Sequence, residues 1–145
     1  MDLGTLGISL LVLASVAAVS SIVSIGAAGK DCENPRRLGG ILTFAVLGFT
    51  TLATLLLAVA FLSENWALEY VIFNHPTITG PSAWLYRLSG VWAGREGSLL
   101  FWEWVLSIFA AFVAGKTIKG DDRLGSTGLA VINFVQLFFL AALFI

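Results

Sequence analysis

The residues that usually carry chemistry are scarce in this 145-residue chain, which has one cysteine, one histidine, one methionine and three prolines. With Cys32 alone, no disulfide, thiol pair or CxxCH haem-attachment motif can be built within it. His75 has no second histidine, cysteine or close carboxylate pair to complete a metal site, and reads as a loop residue. Charge is thin as well. Asp, Glu, Lys and Arg make up 12% of the residues, against about a quarter in an ordinary globular chain. The formal net charge of −1 comes with no basic run and no aromatic–basic strip, which argues against nucleic acid as a partner. Nucleophile–base pairs, phosphate-cradling glycine loops and zinc spacings are missing too, so no catalytic and no metal-binding residue is assigned.

What the chain has instead is apolar length. Hydrophobic residues make up 58% and the mean hydropathy is +0.93. A bilayer core of about 30 Å needs roughly 20 apolar residues at 1.5 Å each. Blocks at 3–28, 38–62, 98–115 and 124–145 meet or approach that length. The reading is an all-α polytopic membrane protein: one membrane domain of four transmembrane helices, with a loop at 63–97. The first block has only Asp2 ahead of it and exceeds the roughly 7–15 residues of a signal core, so it is expected to stay attached. Lys30, Arg36 and Arg37 follow the first helix and Lys116, Lys119 and Arg123 the third, whereas the loop has only Arg87 and Arg95. Basic residues are retained on the cytoplasmic side. Both termini and the 63–97 loop are therefore expected on the outer side of the cytoplasmic (inner) membrane or its equivalent.

Each helix carries its own signal. In the first, Ala17, Ser21 and Ser24, or Ser20, Ser24 and Ala28, fall at helical spacing and let another helix approach closely. In the second, the hydroxyls of Thr43, Thr50, Thr51 and Thr54 can bond back to their own carbonyls, so that helix reads as simply buried. Asn133 and Gln136, three apart in the fourth, each need a hydrogen-bonding neighbour and read as interhelical glue, with a transport path as the other possibility.

The loop holds more information than a connector requires. Pro81 suits the first turn of a helix in which Trp84, Leu85, Leu88, Val91 and Trp92 share one face and Arg87 points away, as in an amphipathic helix lying on membrane lipid. Next come Gly94 and Gly97, which let the backbone turn, and Ser98, which can cap the helix entering the membrane. Glu96 then sits near the positive end of that helix. Glu103 falls roughly 6–8 Å along it, between Trp102 and Trp104, and shares a face with Glu96. A carboxylate at mid-bilayer costs about 2.5–3.5 kcal/mol on insertion scales, which favours a protein partner or a water-filled recess. Two readings stand here: a binding surface, or an ordinary aromatic belt of Trp84, Trp92, Trp102 and Trp104 with Glu103 snorkelling to water.

The runs "ENWALEYV" and "WLYRLSGVWAGREGSLLFW" resemble the N-terminal section of the CcmF/NrfE family, the haem lyases of cytochrome c maturation. Trp92, Gly94, Glu96, Gly97, Ser98, Leu99, Leu100 and Trp102 match the family's W-[GA]-G-x-E-G-S-L-L-x-W segment, and Arg95 sits where the family varies. The resemblance implies a loop on the outer side and a part in attaching haem to apocytochrome c, with haem brought by a haem chaperone. The family's tryptophan-rich haem motif and haem-ligating histidines come later in a much longer chain. The expectation is therefore a non-catalytic N-terminal piece completed by a second membrane polypeptide carrying that motif, with haem held by the complete complex and not by this chain. An ion or proton pathway using Glu103, Asn133 and Gln136, and a packing protein without substrate, are the competing readings.

Overall fold

The structure is a computed structural model that describes residues 2–28, 33–119 and 123–145. Lys30 and Cys32 lie outside the described residues. Among the described residues six α-helices follow one another: α1 (Leu3–Ala27), α2 (Glu33–Leu62), α3 (Glu69–Asn74), α4 (Ala83–Ser89), α5 (Arg95–Lys119) and α6 (Arg123–Ala142), with a 3₁₀ turn at Gly90–Trp92 before α5. Four of them, α1, α2, α5 and α6, are long and apolar enough to cross a membrane. The chain is an integral membrane protein.

The four long helices form a ring in the order α1, α2, α5, α6, with α6 closing against α1. Small residues set the spacing. Ala14, Ala17 and Ala18 of α1 are buried against Val46 of α2 and Leu140 of α6, and Ile25 packs with Ala110, Ala114 and Leu129. In α2, Gly39 faces Ile25 and the Ser21 carbonyl of α1, while Gly40 faces Ile118 and the Ala114 carbonyl of α5. A side chain at either glycine would push α2 off a neighbour, since backbone approach of this kind needs the smallest residues.

Helix ends differ from the hydropathy blocks because hydropathy ignores polar turns that remain helical. α2 starts at Glu33 and not at residue 38, with Pro35 in its first turn, where no intrahelical N–H is needed. The Pro35 carbonyl accepts from Ser24 Oγ at 2.7 Å. α5 runs beyond 98–115 at both ends, taking Arg95 and Glu96 into its first turn and Lys116 and Lys119 into its last, a placement that suits the helix dipole. α6 ends at Ala142. At the start of α1, Asp2 accepts from the Thr5 amide at 2.6 Å, which draws its carboxyl below the ordinary range.

Polar side chains meet inside the bundle in layers. Asn133 Nδ2 shares its two hydrogens among Thr43 Oγ1 at 3.0 Å, Ser21 Oγ at 3.2 Å and the Leu129 carbonyl of its own helix at 3.0 Å. Thr50 and Ser107 hydroxyls lie 3.1 Å apart, and Gln136 Nε2 donates to Glu103 Oε1 at 3.1 Å. Asn133 and Gln136 are thus interhelical bonds. The threonines of α2 do bond back to carbonyls at Gly39, Val46 and Thr50, but three of them also reach other helices. That corrects the reading of α2 as simply buried: a back-bonded hydroxyl keeps lone pairs to offer a neighbouring helix.

Candidate functional site

The segment between α2 and α5 folds back onto the bundle end that carries it, here called the loop end. Past the end of α2 at Leu62 the chain turns through Ser63 and Glu64, and Glu64 has φ 51°, the one positive value at a non-glycine among the described residues. Its carboxylate is ion-paired with Arg87 of α4, so the side chain expected to point away from the shelf fastens it to α2 instead. α3, which sequence reasoning did not separate from the loop, supplies the central residue, Tyr70.

Tyr70 is a clamp. Its ring meets Phe61 edge-on at 5.8 Å, its hydroxyl donates to the Val91 carbonyl at 3.3 Å, and it accepts from the Gly94 amide at 3.0 Å. Burial raises the phenol above its ordinary value of 10.0, partly opposed by the amides of Gly94 and Gly97. The glycines around it explain the spacing of the motif. A methyl at Gly94 would lie 2.8 Å from the Tyr70 ring, one at Gly97 would overlap the Val91 carbonyl and the same ring, and one at Gly90 would enter the Phe61 ring. Neither Gly94 nor Gly97 has a positive φ. They serve close approach and not a sharp turn, which revises the sequence reading.

Ser98 does not cap α5. It lies inside the first turn, where its amide bonds the Gly94 carbonyl at 3.0 Å and its hydroxyl reaches the Gly94 and Trp92 carbonyls at 2.5 and 3.2 Å. Glu96 is exposed and ion-paired with its neighbour Arg95 at 3.0 Å. Trp92 and Trp102 are also exposed, joined through Phe101 by ring separations of 5.8 and 6.1 Å, and Trp104 continues this row at 6.2 Å. Trp104 is held in place by its indole N–H donating to Thr51 at 2.9 Å.

The expected shelf is divided by its own packing. Trp84 and Leu85 are exposed, whereas Val91 is buried and Leu88 packs with it on Phe61 and Val71. Five residues read as one face therefore serve two surfaces: Leu88 of α4 and Val91 of the tighter 3₁₀ turn at Gly90–Trp92 pack inward, and Trp84, Leu85 and Trp92 face out. A cavity of about 640 Å³ opens at the loop end, lined by Leu3, Gly7 and Leu11 of α1, Leu57 of α2, Tyr70 of α3 and Leu100 of α5. Glu96 and Gly97 reach its wall from α5.

Glu103 lies one helical turn beyond Leu100, on the same buried face, and is 0% exposed. Because α5 begins at Arg95, it sits about 12 Å along the helix. It does not snorkel to water. Glu96 and Glu103 share a face, but that face enters the bundle between them. His75 is packed against Trp66, ring centroids 4.8 Å apart, with Nε2 buried.

No family model matches the chain. Curated relatives do: it is 28% identical over 132 residues to the cytochrome c-type biogenesis protein ccl1 of Rhodobacter capsulatus, covering 91% of this chain and 20% of that protein. It is 30% identical over 132 residues to NrfE of Haemophilus influenzae, covering 90% and 20%, and 29% identical over 139 residues to CcmF of the same organism, covering 92% and 21%. The chain thus spans about a fifth of the length of the curated relatives it matches. Among solved structures, "Cytochrome c Heme Lyase CcmF" superposes with a TM-score of 0.83 at 26% identity, over 98% of this chain and 23% of that one. In sequence and in fold, the chain is a section of the CcmF/NrfE family of cytochrome c-type biogenesis proteins.

Proposed function

We propose that the chain is the N-terminal membrane section of a CcmF-type haem lyase assembly, helping to deliver haem and assemble c-type cytochromes. The observation that carries this reading is the superposition of nearly the whole chain on a haem lyase structure, with the loop-end motif held rigidly by Tyr70. The motif residues Trp92, Gly94, Glu96, Gly97 and Ser98 build the turn into α5, beside which Trp92 and Trp102 form an exposed aromatic wall through Phe101, and Trp84 and Leu85 are exposed on α4. Apolar, planar groups fit such a wall.

Haem ligation is another matter. Haem iron draws axial ligands from His, Met, Cys or Tyr. The single histidine here has its Nε2 covered and its ring against Trp66, so among the described residues His75 does not fit the role of a haem ligand. The role assigned to this chain is therefore to hold and orient, with haem belonging to the complete complex. The partners of this reading are a second membrane polypeptide carrying the tryptophan-rich haem motif, a haem chaperone and apocytochrome c. The reading places the chain in the cytoplasmic membrane, with the termini and the loop end on the outer side, and it draws on the basic residues near the opposite end.

The test is genetic and biochemical together. Deleting the coding segment is expected to abolish covalent haem in c-type cytochromes on a haem-stained gel, and a tagged chain is expected to co-purify the second polypeptide. Normal cytochrome c in the deletion, or stoichiometric haem on the isolated chain, would overturn the reading.

A further inference from the structure

The interior pair of Glu103 and Gln136 is short of one hydrogen. Both side chains are 0% exposed. Gln136 Nε2 donates to Glu103 Oε1 at 3.1 Å, while Glu103 Oε2 and Gln136 Oε1 are buried without a partner. An ionised carboxylate has no donor, so both oxygens would stay unsatisfied in an environment where each costs several kcal/mol. Exchanging the nitrogen and oxygen of the amide does not change the count, because the pair as a whole still lacks a donor for its last two acceptors.

We propose that Glu103 and Gln136 form a proton-binding site, a reciprocal acid–amide pair in which the neutral carboxyl donates from Oε2 to Gln136 Oε1 while the amide donates to Oε1. One proton satisfies both orphaned oxygens. Among the described residues no second acid or base is packed beside the pair, and the other unpartnered acceptor on α6 is Asn133 Oδ1. α2 presents hydroxyls from Thr50 and Thr51 to this side of α5, α6 adds Asn133 one turn from Gln136, and among the described residues the only other buried charged side chain is Arg36, near the opposite end of α2. On its own helix the next titratable group is Glu96, seven residues earlier and exposed. The inference rests on this chain's hydrogen-bond geometry and is independent of the haem lyase reading.

Infrared difference spectroscopy of the chain in lipid nanodiscs at pH 7 decides it. Wild type minus Glu103→Gln is expected to contain the carbonyl band of one neutral, hydrogen-bonded carboxylic acid. Gln136→Leu, which removes the amide and keeps the acid, is expected to retain the band shifted to higher frequency. Carboxylate bands in place of the acid band would overturn the proposal, and so would an unshifted band in Gln136→Leu. A sodium-dependent carboxylate signal would overturn it in favour of a metal cation. Vesicles carrying the wild-type chain are expected to leak protons no faster than those carrying Glu103→Gln; a faster leak would replace a held proton with a conducted one.

Discussion

Tyr70 is where single atoms decide the loop end. Tyr70→Phe keeps the ring against Phe61 but leaves the Gly94 amide and the Val91 carbonyl without their partner. The expected loss is about 1–3 kcal/mol, read as a lower denaturation midpoint and faster proteolysis near Gly94. The phenol's folded value lies above its unfolded one, so its contribution is fully present below about 10 and disappears as pH climbs through the folded value. Wild type is thus expected to lose loop-end protection at strongly alkaline pH, and Tyr70→Phe to show no such step. Gly97→Ala should be worse than Gly94→Ala, because its methyl meets backbone at Val91 and not only the Tyr70 ring. Overpacking of this kind costs about 1–3 kcal/mol. By contrast, Trp102→Ala removes an exposed ring and is expected to leave the melting profile within about 0.5 kcal/mol, while lowering cytochrome c assembly if the aromatic wall has the proposed role.

At the scale of elements, the long helices were legible because 20 apolar residues have few alternatives, and their interior bonds were half legible. Asn133 and Gln136 announced a need for partners. Nothing in the sequence named Ser21, Thr43 and Glu103 as those partners, since helix rotation is set by packing at Gly39 and Gly40, far along the chain. α3 was hidden for a related reason: "EYVIFN" is too short to show a period, and it is fixed by contacts of Val71 and Tyr70 with Phe61 and Val91. The shelf was misread because an apolar period does not say which surface covers it: Leu88 and Val91 are claimed by Phe61 and Val71, and the period also runs into a segment that tightens to 3₁₀. A double-mutant cycle of Ser21→Ala and Asn133→Ala is expected to give a coupling of about 0.6 kcal/mol, the usual size of an interhelical hydrogen bond in membranes. Steric-trap unfolding in bicelles measures it.

For the whole molecule, the ring of four helices and the folded-back loop form the unit that matches the haem lyase structure. The family could be read from one motif because its glycines are dictated by an aromatic ring pressed against backbone, a demand few sequences meet. The burial of Glu103 could not be read that way, since its depth depends on three extra residues at the start of α5. A chain of this kind exposes large apolar side chains such as Phe112, Phe134 and Phe138 along its length, so detergent or lipid is expected to be essential for its solubility. Dilution below the critical micelle concentration should precipitate it, as light scattering would register.

One stretch of the loop end is held only to the start of α4, by the Ala83 and Leu85 amides donating to the Gly80 and Ser82 carbonyls. Residues 77–82 are all exposed and outside any helix, while the segments on either side are fastened by Tyr70 to Gly94 and by Arg87 to Glu64. A cut there would divide the polypeptide into a two-span and a second two-span fragment without detaching either from the other, since α2 still lies along α5 and α1 along α6. The covalent link between the halves is thus mechanically dispensable, and the two pieces should migrate as one particle on a native gel and separate only in denaturant.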